Sequence, residues 1–576
     1  MKTREPLRIL GSSANQTTLL VWAIIIFSLA VVIQVVMTWM ILPIYPDEIA
    51  TRVLGSRLFI DKFERYSMLG VCTSSNSVQT PGVLLPAAAL LSLLSYIVDM
   101  SYNRIVAFCG LLLCFCLVYL SFSRTAGRST RVIALCLCVL ASSIGVVAAA
   151  YFIIRPENFI FLLVALAIFT FSDNRDSRTN FVIAIAAVLL FTMSLYLHPK
   201  TLYFLPVTLM ILVRTITFRH TMLLALSVFI LAWASFEGYL INAKQFLNCP
   251  EVPALEALLN SFNVNPTLLF THPVKFLTDL LVNNISGRWV SIGRQISFTS
   301  GYGSRYLPDV TVSAAVSICN ILIRSVALGT LLSAVFFGLK HLSAVRHSIF
   351  SRPNVALAGE KPSEDSDSID HAGMLFLYIG TTTYLLLNAT QAWYDISAWT
   401  FIYAALVTTS VTRFYGRLVN IDAWRGSHRA RPDSAARWGI CCVTAVILCT
   451  AGFSAVILRT TIYRDLTAGY NGPSIPLVTS NFSEIGKNVH RAAAMCGLSS
   501  KSPRLIVDDL TYPFLQQSYK PYLITYGLFA TPERFYALAK REGSNGMVVR
   551  CGSIPATPQL DGMKRDGDIC CFNSGP

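Results

Sequence analysis

Apolar runs recur along the chain from Leu19 to Leu458, broken by short polar stretches; a helix needs about 20 apolar residues to cross a bilayer. Twelve runs stand out. They are Leu19 to Leu42, Val83 to Val98, Ile105 to Phe122, Val132 to Ile154, Phe159 to Phe171, Phe181 to Leu197, Leu202 to Val213, Met222 to Ile241, Val310 to Leu339, Met374 to Ala389, Ser397 to Val411 and Ile440 to Leu458. The first follows a basic tail of Lys2, Arg4 and Arg8 and is too long for a signal-peptide core, so it reads as an anchor with its N-terminus inside.

Loop charge decides which runs cross, because Lys and Arg gather in cytoplasmic loops. Five basic loops are visible: Arg124, Arg128 and Arg131; Arg175 with Arg178; Arg214 with Arg219; Lys340, Arg346, Arg352 and Lys361; and the strongest, from Arg413 to Arg437. All five face the cytoplasm together only if Val83 to Val98 does not fully cross. That run opens Thr80-Pro81-Gly82, contains Pro86 and is short, so it reads as a juxtamembrane helix. Eleven spans follow, with everything after Leu458 outside.

Composition agrees with this layout. Of 576 residues, 54% are apolar and 13% charged, with mean hydropathy +0.56, whereas a soluble domain averages about 25% charged residues. Lys and Arg number 46 against 31 Asp and Glu, a net charge of +15. The basic loops explain that excess without a nucleic-acid partner.

The asymmetry of the polar clusters points to a site. Tyr45-Pro46-Asp47-Glu48, Arg155-Pro156-Glu157, His198-Pro199-Lys200, the loop from Asn242 to Asp309, and Gln391 to Asp395 all fall on the outer face. Ionisable groups at membrane depth are costly and mark cavities or pathways, although each cluster alone also fits a helix end in the headgroup layer. Pro43 and Pro46 stop the first helix, so Asp47 and Glu48 sit at the outer water boundary. A carboxylate held there suits a general base that activates a hydroxyl or amine. The alternative is a pair of solvated carboxylates.

A first helix ending in Pro-Asp-Glu, a Pro-led apolar segment from Thr80 to Ala89, a short Arg-x-acid loop and then an x-Pro-Lys loop resemble the GT-C glycosyltransferases. The nearest likeness is to the polyprenyl-phosphate-sugar-dependent branch, with its protein mannosyltransferases and lipid A aminoarabinose transferases. It covers roughly the first 215 residues in order and thins to architecture beyond them. The resemblance implies an enzyme that takes a sugar from a lipid phosphate on the outer face and inverts the anomeric carbon. It implies that Asp47 deprotonates the acceptor and that Glu48 orients the acceptor or shares a proton. It implies further that Glu157 is the acid of the second outer loop, that Arg155 holds the site acids or a phosphate, and that Lys200, after His198, is the basic residue where the next loop re-enters the membrane. His-Pro-Lys departs from the Thr-Lys-Gly often found there.

Cleaving a sugar–phosphate bond leaves negative charge on the departing lipid phosphate, which a nearby cation stabilises. Arg288, Arg294 and Arg305, among Trp289, Phe298, Tyr302 and Tyr306, suit a phosphate clamp beside a sugar, and equally an interfacial aromatic belt. Trp393 and Tyr394 offer a stacking face and Asp395 an acceptor for sugar hydroxyls, or the stretch is a belt turn. Glu237, near the outer end of its run, faces either a cavity or the interface.

Nine of the 15 cysteines fall within the spans and behave as small apolar residues, and none has zinc spacing. Cys72, Cys249, Cys496, Cys551, Cys570 and Cys571 lie outside them, where disulfides are permitted. Cys496 pairs with Cys551 or with the Cys570-Cys571 pair, the connectivity being open. From Arg459 on, the composition is that of a soluble α/β unit: Phe482 to Met495 reads as a helix, Arg504 to Val507 as a strand ending in Asp508-Asp509, Pro532 to Arg541 as a helix and Met547 to Cys551 as a strand. Asp508-Asp509 reads as an exposed strand-end turn rather than a ligand site. Ala358 to Asp370 reads as a disordered cytoplasmic linker.

The fold expected is mainly α: a polytopic transmembrane helix bundle of about 11 spans with a small C-terminal extracytoplasmic α/β domain. Residues 1–458 form the catalytic body, with outer loops at 43–103 and 242–309 and a cytoplasmic linker at 340–372, and 459–576 form the outer domain. The function expected is inverting transfer from a polyprenyl-phosphate sugar to a glycan, lipid or protein acceptor in a bacterial cytoplasmic membrane. Membrane lipid is a partner and nucleic acid is not. No cofactor is called for, and divalent-cation assistance stays open. The rivals are a transporter or flippase, which would show matched halves with interrupted helices, a polymerase or ligase of envelope glycans, and a non-catalytic scaffold.

Overall fold

The computed structural model describes residues 12–40, 48, 64–66, 77–79, 82–98, 102–122, 126–145, 152, 156–172, 180–216, 221–246, 268–287, 289, 314–350, 363–387, 393–416, 434–467, 482–498, 505–508, 510–515, 521–523, 546–553 and 562–573. Among the described residues twelve apolar helices form the body: α1 Ser12–Met40, α2 Leu85–Ile97, α3 Asn103–Ser121, α4 Arg128–Ser142, α5 Pro156–Ser172, α6 Asn180–Leu197, α7 Leu205–Thr215, α8 Thr221–Phe246, α9 Ala314–Phe350, α10 Ser363–Leu387, α11 Trp393–Tyr415 and α12 Ser434–Thr467. A two-stranded antiparallel ribbon, β1 Glu64–Tyr66 and β2 Ser77–Gln79, lies between α1 and α2 in sequence.

Among the described residues five segments, Thr18–Met40, Asn103–Ser121, Thr221–Leu240, Ala314–Ser348 and Cys441–Thr460, are long and apolar enough to cross a membrane, and the chain is an integral membrane protein. Leu85–Leu94, Glu157–Ser172 and Phe181–Leu197 are shorter apolar helices. The short run beginning at Val83 is α2, with its proline at the first turn, where a missing N–H costs nothing.

The core centres on α5, which packs against α3, α6, α10 and α11 and is buried along nearly its whole length. α1 lies against α4 and α12, and α9 against α10, α11 and α12. Two glycines of α10 permit close approaches of its neighbours. A Cβ on Gly373 would sit 2.5 Å from the Phe171 ring, and one on Gly380 would sit 2.9 Å from the Tyr203 carbonyl oxygen. Several buried hydroxyls bond within their own helices, as where Ser28, Thr170 and Ser235 donate to the carbonyls of Ile24, Leu166 and Leu231 at 2.6–2.7 Å. Among the described residues the nine free cysteines lie on α3, α4, α9 and α12.

Three expectations change. The run Val132 to Ile154 is interrupted: α4 ends at Ser142, the hydroxyls of Ser142 and Ser143 bond back to Cys138 and Val139, and Gly145 takes a positive φ of 54°. The Gly145 N–H donates to the Ser454 hydroxyl of α12 at 3.3 Å, so a side chain from another helix takes up the donor freed by the turn. The reading of Ala358 to Asp370 as a disordered linker fails from Ser363 on. The backbone is helical there, because acids favour a helix N-terminus and Asp370 is buried against Arg214 of α7, Nε to Oδ1 2.8 Å. The last helix runs to Thr467 rather than stopping at Leu458.

Beyond it lies a five-stranded mixed sheet of order β4-β3-β5-β7-β6, built from β3 Leu505–Val507, β4 Pro521–Leu523, β5 Gly546–Arg550, β6 Lys564–Asp566 and β7 Ile569–Asn573. β3 runs parallel to β4 and β5, while β7 is antiparallel to β5 and β6. Helix α13, Phe482–Met495, packs on β6 and β7. Disulfides Cys496–Cys571 and Cys551–Cys570 tie the end of α13 and the end of β5 to β7. Cys72, Cys249 and residues 532–541 lie outside the described residues.

Asp508 is buried rather than an exposed turn. Its Oδ1 accepts from the backbone N–H groups of Leu510 and Thr511, and its Oδ2 from the Arg550 N–H at 2.8 Å and the Arg550 guanidinium at 3.3 Å. The carboxylate thus closes the turn after β3 and fastens it to β5.

Candidate active site at one end of the helix body

Ring contacts fix which helix ends meet. Phe108, early in α3, stacks on Phe152 just before α5 at 5.7 Å, and Phe161 of α5 meets Phe401 of α11 at 5.5 Å. Tyr384, near the end of α10, meets Tyr203 and Phe204 just ahead of α7. The starts of α3, α5, α7 and α11 and the end of α10 therefore share one end of the body. The opposite end is defined by Arg413 of α11 donating to the Phe171 carbonyl of α5 at 2.7 Å, Arg214 of α7 on Asp370 of α10, and Lys340 of α9 on the Tyr415 hydroxyl.

At the first end, α1 ends with Trp39 and Met40, and Glu48 is buried, 1% exposed. Arg104, the second residue of α3, is buried beside it. Its Nη2 donates to Glu48 Oε1 at 2.7 Å, its Nε to Oε2 at 3.1 Å, and its Nη1 to the Trp39 carbonyl at 2.6 Å. One guanidinium thus grips a carboxylate with two donors and the end of α1 with a third, a planar fork that lysine does not offer. A cation in the first turn of a helix also opposes the helix dipole. Arg104 is the residue that sequence reasoning missed: it heads the run from Ile105 and passes for an ordinary interfacial charge. Asp47 itself lies outside the described residues.

Glu157 is buried in the first turn of α5, which Pro156 opens, so the dipole favours its charge. Arg155 lies outside the described residues. His198 is extended after α6, and its Nδ1 accepts from the Lys200 backbone N–H at 3.2 Å, capping the 3-10 turn Pro199–Phe204. In the neutral ring the proton then sits on Nε2. The hydroxyl of Thr201 in this turn meets that of Ser194 in α6 at 2.6 Å, and the Lys200 ammonium lies 5.8 Å from the centre of the Tyr384 ring. The close pass of Gly380 holds this turn against α10. His198 therefore shapes the backbone that presents Lys200.

The structure brings Glu48, Glu157, His198 and Lys200 to one end and adds Arg104. Tyr394 and Asp395 belong to the first turn of α11 rather than to a loop, and only their backbone is described. Arg288, Arg294 and Arg305 lie outside the described residues. Glu237 is half-buried on α8 and accepts from Trp233 Nε1 of its own helix at 2.6 Å. Among the described residues no three His, Cys, Asp or Glu side chains converge as metal ligands.

No family model and no curated protein matches the chain. Among solved structures, the chain is similar to the archaeal oligosaccharyltransferase AglB from Archaeoglobus fulgidus, solved with an inhibitory peptide and a dolichol-phosphate. That likeness has 12% identity over 91% of this chain and 69% of that one, at a TM-score of 0.39. It is also similar to ArnT from Cupriavidus metallidurans bound to undecaprenyl phosphate, with 12% identity over 96% of this chain and 98% of that one, at a TM-score of 0.40.

Proposed function

We propose that the protein is an inverting glycosyltransferase that moves a sugar from a polyprenyl-phosphate donor to a glycan, lipid or protein acceptor at the outer face of a bacterial cytoplasmic membrane. The observation that carries this reading is the buried Glu48–Arg104 pair, which anchors the chain immediately after Asp47 to the ends of α1 and α3. Glu48 and Arg104 are positioning residues and Asp47 is the base. Asp47 takes the proton of the acceptor hydroxyl or amine as that atom attacks the anomeric carbon from the side opposite the phosphate. The carbon–oxygen bond to phosphate breaks, its electron pair stays on the phosphate oxygen, and the anomeric configuration inverts. Lys200, Arg155 and the loop arginines Arg288, Arg294 and Arg305 supply the positive charge that the departing lipid phosphate requires. Glu157, Tyr394 and Asp395 line the sugar or acceptor side.

Eleven crossings, α1 and α3 to α12, put the site outside with residues 459–576, and the disulfides of that unit support an oxidising compartment. The test is transfer from a panel of radiolabelled polyprenyl-phosphate sugars by wild type and Asp47→Asn in membranes at equal folded protein. The proposal expects turnover by wild type and its loss in the variant, by about 100-fold or more. Equal turnover by both removes Asp47 from the mechanism, and no turnover by wild type across the panel moves the reading to a transporter or a scaffold.

A further inference from the structure

The backbone of the turn Pro199–Phe204 is held from three sides. His198 caps its start, the Thr201 hydroxyl meets that of Ser194 at 2.6 Å, and the bare Cα of Gly380 in α10 lets the Tyr203 carbonyl come close. None of these contacts reaches the end of the Lys200 side chain. That side chain is a flexible four-carbon stem, and its free rotamers would spread the charge it carries.

Tyr384 does reach it. One turn after Gly380 and on the same face of α10, Tyr384 is 1% exposed. Its ring stands edge-on to Tyr203 at 6.4 Å and 81° and is tilted against Phe204 at 6.1 Å, so two residues of the turn fix the ring beside Lys200. The Lys200 ammonium lies over that ring, 5.8 Å from its centre, within the roughly 6 Å over which a π face attracts a cation. A ring draws the charge in without taking up the ammonium's N–H donors, whereas a carboxylate would accept them and offset the charge.

We infer that Tyr384 is a positioning residue, whose π face fixes the Lys200 ammonium where the departing lipid phosphate needs positive charge. Its role in the reaction rests on the transferase reading; the hold on Lys200 rests on the ring contact alone. The test makes two measurements on the full chain in proteoliposomes, each per folded molecule. The first is kcat for transfer from the polyprenyl-phosphate sugar that wild type uses. Tyr384→Leu is expected to lower it about tenfold, and Tyr384→Phe, which keeps the π face, to stay within about twofold of wild type. In a Lys200→Met chain, Tyr384→Leu is expected to cost nothing further. The second is the rate at which an amine-reactive ester labels Lys200, read by mass spectrometry against the other lysines. Tyr384→Leu is expected to raise that rate severalfold and Tyr384→Phe to leave it unchanged. An equal loss of kcat from Tyr384→Leu with and without Lys200 overturns the positioning role, as does a loss in Tyr384→Phe as large as in Tyr384→Leu. Unchanged labelling in Tyr384→Leu overturns the hold itself, whether or not wild type transfers sugar, whereas no transfer by wild type overturns the transferase reading and with it the role at the phosphate.

Discussion

The two ends of the helix body both carry buried charges, but for different reasons. At the end away from the site, Arg214 and Arg413 sit in the last turns of α7 and α11, where a cation complements the helix dipole and the positive-inside bias places it anyway. Their partners are across a helix contact: Asp370 for one, the Phe171 carbonyl for the other. Close by, His341 and His371 meet Nδ1 to Nδ1 at 2.9 Å, and Ser410 joins His341 to Tyr378, so polar side chains lace α9, α10 and α11 together. These contacts are explained by helix packing alone. At the other end Arg104 lies in a first turn, against the dipole, and is buried with Glu48. A buried ion pair held against the dipole is the feature on which the proposed placement of the reaction centre rests.

That contrast is easiest to break where the burial is deepest. Arg104→Ala takes the guanidinium away from a buried carboxylate and is expected to cost about 3–5 kcal/mol. Changing both residues together to Met and Leu is expected to recover much of that loss in thermal melts while transfer stays abolished. A double variant as unstable as the summed singles would mean that the pair has further structural duties. At the opposite end Asp370→Asn, which keeps an acceptor for Arg214, is expected to cost about 1–3 kcal/mol and to leave transfer per folded molecule unchanged. Gly380→Ala, whose new methyl meets the Tyr203 carbonyl, should cost a similar 1–3 kcal/mol or so and lower transfer by moving the turn that presents Lys200.

The smallest effect is expected in the sheet-bearing tail. Asp566 receives hydrogen bonds from Arg491, which hold its carboxyl below the usual carboxylate range. A depressed folded value means that the contribution is present above the unfolded value of about 3.9 and is lost as pH falls through the folded one. Amide exchange of β6 and β7 in Asp566→Asn should therefore match wild type at low pH and exceed it only slightly near neutrality.

Much of this organisation was legible in the residues. Runs of apolar side chains marked every body helix, because burial in lipid or protein allows few polar positions, and the nonperiodic shortness of the run at Val83 marked α2 as different. The helix from Phe482 to Met495 was found to the residue. Long-range pairings were not legible. Nothing near Asp370 announces Arg214, 156 residues away, so an acid-rich stretch read as linker is instead a helix start. Nothing near Glu48 announces Arg104, and the partner of Asp508, Arg550, lies on a different strand. The break after Ser142 had a local signal in Ser142-Ser143-Ile144-Gly145, which the apolar count overrode.

The most direct test of the account compares Glu48→Gln with Asp370→Asn in proteoliposomes, measuring sugar transfer per folded molecule. Both variants remove one buried carboxylate charge from an arginine pair, one at each end of the body. The account predicts a fall of about 100-fold or more for Glu48→Gln and no change for Asp370→Asn. Equal losses, or a loss confined to Asp370→Asn, would contradict the placement of the chemistry at the Glu48–Arg104 end.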